Sequence, residues 1–315
     1  MLESILSLFN LDFLYAAVRM AIPIILAATG EVFLQRSGIF NIGIEAMMIF
    51  GAFFGVLGAA LTGNSWLGVL FAMLAGSLTG LAFGFVVITV QGDQTITGTA
   101  FSIIGLGLTS FLVRVIWGIR KLPVMVTPIE RWPVPVLSEI PYLGRIFFDQ
   151  SPLAYIAYVL LILATIVMFK TTWGLKVRAV GENPKSAASI GINVIRVRYL
   201  CAIFSGSVAG IGGAILSLSE LNMFVDNMSG GRGYLAMASV ILGRWHPLGA
   251  ALGGLVFGAG NALQMRLQAI GVPIPNNLLL ILPYVLALLI MVSVYSRSGA
   301  PAALGVPYEK ETTIE

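Results

Sequence analysis

The chain has 315 residues, of which 58% are hydrophobic and 10% are charged, and its formal net charge is +4. Soluble domains carry about 25% charged residues, so this composition indicates an integral membrane protein. The modest charge excludes a nucleic-acid-binding protein, and a single cysteine with a single histidine excludes an internal disulfide and a Cys/His zinc site.

Long apolar segments predict an all-α polytopic membrane protein with about nine transmembrane helices, since about 20 apolar residues are needed to cross a bilayer. The predicted spans are 13–34, 42–61, 66–90, 95–117, 152–169, 199–219, 234–243, 247–266 and 277–296. The segment 234–243 is too short to cross alone, which predicts a half-helix or part of a hairpin buried in protein. We expect residues 1–315 to form a single transmembrane domain.

The basic residues predict the orientation of the chain in the membrane. The loop 170–198 holds six basic residues and one acid, Glu182, which is typical of a cytoplasmic loop. Counting spans from this loop places the N-terminus outside, the loop 118–151 outside and the tail 297–315 in the cytoplasm. Five prolines in 118–151 favour a structured cap without long helices.

Thirty-six glycines are present, and many of them are spaced four residues apart. Sets at this spacing are Gly51/Gly55, Gly76/Gly80/Gly84, Gly206/Gly210 and Gly254/Gly258. Small residues at this spacing predict closely packed helices in a lipid environment. A role in helix sliding is the alternative.

A short-helix signal lies in the middle of the basic loop. Asn183 before Pro184 predicts a helix N-cap followed by proline at the first helical position, and Gly191 predicts the end of the helix. A helix of about eight residues is unstable alone in water. We therefore expect it to dock, either on its own bundle or on a cytosolic partner.

Polar residues inside apolar segments are candidates for a solute pathway. Asn41 and Glu45 are four residues apart, which predicts one shared helix face. A carboxylate here could instead satisfy Arg36 or a nearby backbone amide, and the same alternatives apply to Glu31.

Two polar stripes are the other pathway candidates, because a polar helix face must meet water, ligand or other polar groups. Hydrogen bonding between helices would explain the same pattern without a pathway. The stripes are Thr95, Thr99 and Ser102 on the fourth span, and Asn261, Gln264 and Gln268 on the eighth.

Four stretches carry a family resemblance. Residues 181–192, GENPKSAASIGI, resemble the coupling-loop motif of permease subunits of ATP-binding-cassette (ABC) importers. Residues 35–48, QRSGIFNIGIEAMM, are similar to a signature of the nucleoside and simple-sugar branch of these permeases. Residues 230–249 and 300–308 resemble later segments of the same family, in the same order. Two positions depart from the signature: Gln35 stands where it usually has Glu, and Ala46 where it usually has Gly.

This resemblance implies a type II-like ABC importer permease bundle that performs no chemistry of its own. The implied partners are ABC ATPase subunits that bind ATP and Mg²⁺, a second and commonly related permease chain, and an extracytoplasmic solute-binding protein. The implied solute is a nucleoside, or else a simple sugar, and the implied location is the bacterial cytoplasmic (inner) membrane. The residues implied to couple to the ATPase are Gly181, Glu182, Asn183, Pro184, Lys185, Ala187, Ala188, Gly191 and Ile192.

Two other functional classes are considered against the residues. A secondary active transporter of a small polar solute would need coupling-ion carboxylates near the bilayer midplane and inverted repeats. An intramembrane enzyme would need a catalytic set that a single histidine and a single cysteine do not supply. Evidence against the transporter is the absence of any acid in at least five predicted spans, 66–90, 152–169, 199–219, 247–266 and 277–296.

Overall fold

Helices dominate the protein. The computed structural model describes residues 10–118, 124–271, 275–285, 288–289 and 299–309. The helices are α1 (Leu11–Arg36), α2 (Ile44–Thr62), α3 (Ser65–Gly84), α4 (Gln94–Trp117), α5 (Leu143–Phe148), α6 (Pro152–Lys170), α7 (Thr172–Glu182), α8 (Pro184–Ser189), α9 (Val194–Ala214), α10 (Arg232–Leu242), α11 (Pro247–Ile270) and α12 (Asn276–Leu280). The prediction of an all-α polytopic protein is confirmed.

Within the described ranges, seven helices are long and apolar enough to cross a membrane. They are α1, α2, α3, α4, α6, α9 and α11, where α3 and α9 each continue into a π-helical turn, Phe85–Thr89 and Ile215–Glu220. The short segment predicted at 234–243 is α10, with 11 residues. The span predicted at 277–296 lies partly outside the described residues, so the count of nine is approximate.

The centre of the bundle is built from α1, α2, α3 and α9, with α10 and α11 packed against α1 and α4 against α2. The helices α3 and α9 cross in close contact. An added Cβ on Gly76 would overlap the backbone carbonyl of Gly206, and one on Gly206 would overlap that of Gly76. Gly210 meets Ala72 in the same way. The predicted role of these glycines in close packing is confirmed.

The connection between α1 and α2 folds back alongside α1. Asn41 donates from Nδ2 to Glu31 Oε2 at 2.9 Å, and Glu31 lies five residues before the end of α1, which is about 7.5 Å of helix rise. This irregular backbone is tolerated at depth because it is buried in protein. Since α2 begins only at Ile44, the expectation that Asn41 and Glu45 share one helix face was wrong.

The two ends of the bundle differ in their connections. At one end, the loop 124–150 packs on the end of α9, where Ile129 N donates to Leu218 O at 2.9 Å. We call this end the outer side and the opposite end the coupling side. The predicted outer loop, 118–151, contains α5 and otherwise no helix in its described part, which excludes residues 119–123.

The coupling side carries most of the segment 170–198, and this segment is largely helical. It contains α7, α8 and the first turns of α9, where the sequence predicted a loop with one short helix. The tail 297–315 is described for residues 299–309, and these lie against the same side, since Ala303 N donates to Gly181 O at 2.9 Å.

Candidate coupling surface and buried polar network

The short helix α8 has the cap that its sequence predicts. The Asn183 side chain accepts a hydrogen bond from Ser186 N at 3.0 Å, and Pro184 occupies the first turn. Gly191 has φ +85°, a left-handed conformation that favours glycine after a helix. The helix has six residues where eight were predicted, because it ends at Ser189.

One side of α8 packs on the protein and the other is open. Ala187 is buried, while Lys185, Ser186 and Ser189 are exposed. Ile190, just after the helix, keeps 75% of its surface exposed. A capped helix with a buried inner side and an open outer side is a preformed contact surface that needs no refolding to receive a partner.

The residues just before α8 join it to the core. Gly181 is packed so closely on the Arg36 carbonyl that an added Cβ would overlap it. Its own carbonyl accepts from Ala303 N, and Glu182 Oε2 accepts from Ala302 N at 3.3 Å. The segment just before α8 is therefore joined both to the end of α1 and to the tail.

Arg198 holds the same region from inside, a role that sequence reasoning missed. It is 2% exposed; its Nε donates to Ser37 O at 3.1 Å and its terminal nitrogens approach Val306 O at 3.5 Å. Arg198 is one of the six basic residues on which the predicted cytoplasmic loop 170–198 was based. The sequence did contain a signal for this role, because Arg198 lies just before an apolar segment. A cation in a membrane helix usually has a specific partner inside the protein.

Glu31 is the centre of a buried polar cluster inside α1. Its Oε1 accepts from Gln35 Nε2 at 2.9 Å, and its Oε2 accepts from Asn41 Nδ2 at 2.9 Å and from Ser205 Oγ at 3.2 Å. Gln35 Oε1 in turn accepts from Trp245 Nε1 at 2.7 Å. A network in which each member has a partner fixes the relative positions of α1, α9 and the chain after α10.

The Glu45 carboxylate caps the N-terminus of α10. Its carboxylate accepts from Ser229 Oγ at 2.5 Å, from Gly231 N at 2.9 Å and from Gly233 N at 2.7 Å. The free N–H groups and the dipole of a helix N-terminus favour such an anion. Of the two alternatives predicted for Glu45, the contact with backbone amides is the one that the structure contains.

Arg36 and the turn after α10 form a second join on the coupling side. Arg36 Nε donates to Trp245 O at 2.9 Å. His246 stacks on Phe169 with ring centroids 4.5 Å apart, and its Nδ1 accepts from Leu248 N at 3.2 Å as the N-cap of α11. Partial burial and the neighbouring Arg36 lower the pKa of His246 below its usual value, which keeps the imidazole neutral and able to cap.

Three of the predicted pathway residues are buried and do not reach the surface of the protein. Asn41 and Glu45 are at most 2% exposed. Ser102 is also buried and donates to Gly98 O at 3.0 Å. Thr95 and Thr99, in contrast, are exposed on α4.

The second polar stripe follows α11. Asn261, Gln264 and Gln268 are half-buried there, toward the outer half of the helix. Among the described residues, no group of three or more His, Cys, Asp or Glu side chains is arranged to hold a metal ion.

Comparison with known proteins identifies the family. The family model described as "Branched-chain amino acid transport system / permease component" matches residues 13–293. The chain belongs to this permease family. Its fold, its ABC transporter membership and its role as a transport subunit rather than an enzyme are thereby established, as the motifs predicted.

Relatives of the permease align along nearly its whole length. The guanosine ABC transporter permease protein NupQ of Bacillus subtilis (strain 168) is 38% identical over 299 residues, covering 92% of this chain and 94% of NupQ. The nucleoside ABC transporter permease protein NupC of Lactococcus lactis subsp. cremoris (strain MG1363) is 36% identical, with coverage of 91% and 93%. TsgC13 of Haloferax volcanii, named provisionally as a glucose ABC transporter permease protein, is 34% identical, with coverage of 85% and 82%.

The two stretches that resemble the family signature contact each other in the permease. The stretch 35–48 supplies Gln35, Arg36 and Glu45, and the stretch 230–249 supplies the groups that they bind. The permease is a multi-pass protein of the bacterial cytoplasmic membrane, and ATP hydrolysis belongs to a separate ABC subunit.

Proposed function

We propose that this permease imports nucleosides and is driven by cytosolic ATPase subunits that dock on α8. The observation that carries the proposal is that the residues just before α8 are joined to two other segments: Gly181 packs on the backbone of Arg36 at the end of α1, and the Glu182 side chain accepts from Ala302 N in the tail. A push on α8 is passed to the core mainly through the Gly181 contact, because it joins backbone to backbone.

The proposed coupling residues divide into two roles. Asn183, Pro184 and Gly191 shape the helix, and Gly181 and Glu182 tie it to the core. The outer contact falls to Lys185, with Ala187, Ala188 and Ile192 supporting it from the inner side. ATP and Mg²⁺ are held by the ATPase, and this chain needs no cofactor.

The solute assignment is supported by the names of NupQ and NupC, which refer to guanosine and nucleosides. A simple sugar is the second candidate, supported by the name of TsgC13. A solute-binding protein on the outer side delivers the solute, and a second, related permease chain completes the pathway.

We place the pathway along the exposed face of α4, which is the least buried of the membrane helices that the structure describes. Thr95 and Thr99 are hydroxyl groups on this face, able to exchange hydrogen bonds with a passing polar solute. Asn261, Gln264 and Gln268 are the second set of candidates. Asn41, Glu45 and Ser102 serve the pathway only indirectly, by holding α2 and α4 in position.

The docking proposal is tested with Ser186→Trp, which places a bulky ring on the open face of α8 without touching its packed face. We expect this variant to lose copurification of the ATPase while remaining in the membrane. Glu139→Trp, on an exposed position of the outer loop, is the control and should retain the ATPase. If Ser186→Trp copurified as much ATPase as the wild type does, the proposal that the ATPase docks on α8 would be contradicted.

The solute is tested by uptake of labelled guanosine and labelled glucose into membrane vesicles that contain the full transporter. We expect ATP-dependent uptake of guanosine that unlabelled nucleosides compete away. Uptake of glucose alone would assign the permease to sugars. Uptake driven by an ion gradient without ATP would contradict the proposed energy source.

A further inference from the structure

A groove of about 460 Å³ lies beside α8 on the coupling side of the membrane helices. It runs between the first turn of α7 and the first two turns of α9. Side chains that define it are Trp173, Lys176, Ile192, Arg196, Val197 and Leu200.

The groove combines two cations with apolar residues. Lys176 and Arg196 are exposed in it, and no acidic residue is among those that line it. Val197, the residue after Arg196, is buried in its wall, and Leu200 marks its apolar end further along α9. Leu200 lies one helical turn beyond Arg196 on the same side of α9 and keeps 43% of its surface exposed.

The apolar end of the groove belongs to a membrane-spanning helix. Leu200 is six residues into α9, whose apolar span runs from Val194 to Glu220. An exposed leucine at that depth faces acyl chains, whereas the two cations stand at the level of lipid head groups. Trp173 is half-buried beside them, at the boundary depth where tryptophan is enriched in membrane proteins.

We propose that this groove binds an anionic phospholipid. The phosphate of the head group lies between Lys176 and Arg196, and an acyl chain lies along the exposed Leu200. Basic pockets between membrane helices on the cytoplasmic side are suited to such head groups. A soluble acidic protein could meet the two cations, but it could not cover the exposed Leu200, so the amphipathic occupant fits the whole groove better.

The test uses the full chain purified in detergent, without other subunits, and native mass spectrometry with phosphatidylglycerol and phosphatidylcholine. We expect the wild-type chain to retain phosphatidylglycerol in preference. The double variant Lys176→Gln/Arg196→Gln should bind phosphatidylglycerol about 30-fold more weakly, about fivefold for each charge removed. The matched control is Lys170→Gln/Arg244→Gln, which removes two exposed cations that do not line the groove. It should bind as the wild type does.

A fluorescence measurement locates the lipid. Brominated phosphatidylglycerol should quench the tryptophan emission of the wild type, and the quenched component should be missing in Trp173→Phe. Brominated phosphatidylcholine should quench the wild type less. An unchanged lipid preference in the Lys176→Gln/Arg196→Gln variant would overturn the proposal. So would displacement of the lipid by inorganic phosphate, since the site would then recognise a free anion. If the same double variant, expressed with the ATPase, lost copurification of the ATPase while its lipid binding was unchanged, the two cations would belong to the ATPase contact and the lipid proposal would be overturned.

Discussion

Two carboxylates, Glu31 and Glu45, are buried in membrane-spanning helices, and each is surrounded by hydrogen-bond donors of this chain. Burying a charge or a polar group is costly unless it is fully hydrogen-bonded. Both residues therefore act as fixed points to which distant segments are attached. Neither presents an open oxygen to a solute in this structure.

Glu45→Gln tests this role at α10. The amide nitrogen would replace one carboxylate oxygen with a donor that faces one of the two backbone N–H groups, that of Gly231 at Oε1 or that of Gly233 at Oε2. We expect a loss of about 1–3 kcal/mol, because a buried donor is left without an acceptor. Thermal unfolding of the purified permease in detergent measures the change.

Glu139→Gln, at an exposed position of the outer loop, provides the comparison for Glu45→Gln. It removes the same charge without removing a buried contact, so its unfolding temperature should match that of the wild type. Equal unfolding temperatures for all three proteins would show that Glu45 does not stabilise α10.

The roles of individual residues at the coupling surface were predictable from sequence where they depend on near neighbours in the chain. Asn183, Pro184 and Gly191 shape a helix through rules that depend only on sequence neighbours, and all three behave as predicted. The partners of Gln35 and Arg198 were not predictable, since they lie 210 and 161 positions away along the chain. Long-range pairing depends on how the helices pack, and a single sequence carries no direct signal for it.

At the scale of elements, the crossing of α3 and α9 has glycines on both helices. Gly76, Gly206 and Gly210 bring backbone against backbone. Dispersion contacts of this kind stabilise helix pairs in a membrane. The hydrophobic effect does not hold the helices together there, because lipid tails are as apolar as the side chains. The two helices are consequently held at one separation.

Gly206→Ala should separate these helices. The added methyl group would overlap the carbonyl of Gly76, which belongs to the backbone and cannot rotate away. We expect a loss of about 1–3 kcal/mol, as is usual for overpacked sites, measured by thermal unfolding in detergent. Gly107→Ala is the control, since nothing lies within 4 Å of an added Cβ there. A stability of Gly206→Ala equal to that of Gly107→Ala would contradict a backbone contact at the crossing.

The membrane helices were predictable to within a few residues because apolar length is a strong signal. The span predicted at 152–169 is Pro152–Lys170, and that predicted at 95–117 is Gln94–Trp117. The start of α9 at Val194 was missed, because Arg196 and Arg198 were interpreted as loop residues. The helix α7 was missed for a similar reason, since its charged residues hide an amphipathic helix in a segment judged by hydropathy.

At the scale of the molecule, the coupling side is one connected body. The end of α1, the turn after α10, the segment before α8 and the tail are joined by contacts that each involve at least one backbone group. The outer side is built separately, from the loop 124–150 and the end of α9. If the ATPase docks on α8 as proposed, its motion should reach several membrane helices at once.

The predicted orientation can be measured with single cysteines. Cys201 is buried and is the only cysteine of the chain, so the background labelling should be low. We expect Ser186→Cys to react with membrane-impermeant reagents from the cytoplasm, and Glu139→Cys to react from outside. Labelling of Ser186→Cys from the outside of intact cells would invert the orientation.

The pairing of Glu45 with Gly233 also sets an order for biosynthesis, since 188 positions separate the two residues. At about 5–20 residues per second, the ribosome reaches Gly233 roughly 10–40 s after it has made Glu45. Throughout that interval α2 carries a carboxylate whose final donors do not yet exist. The nascent permease must shelter this group with water, lipid head groups or the insertion machinery until α10 arrives.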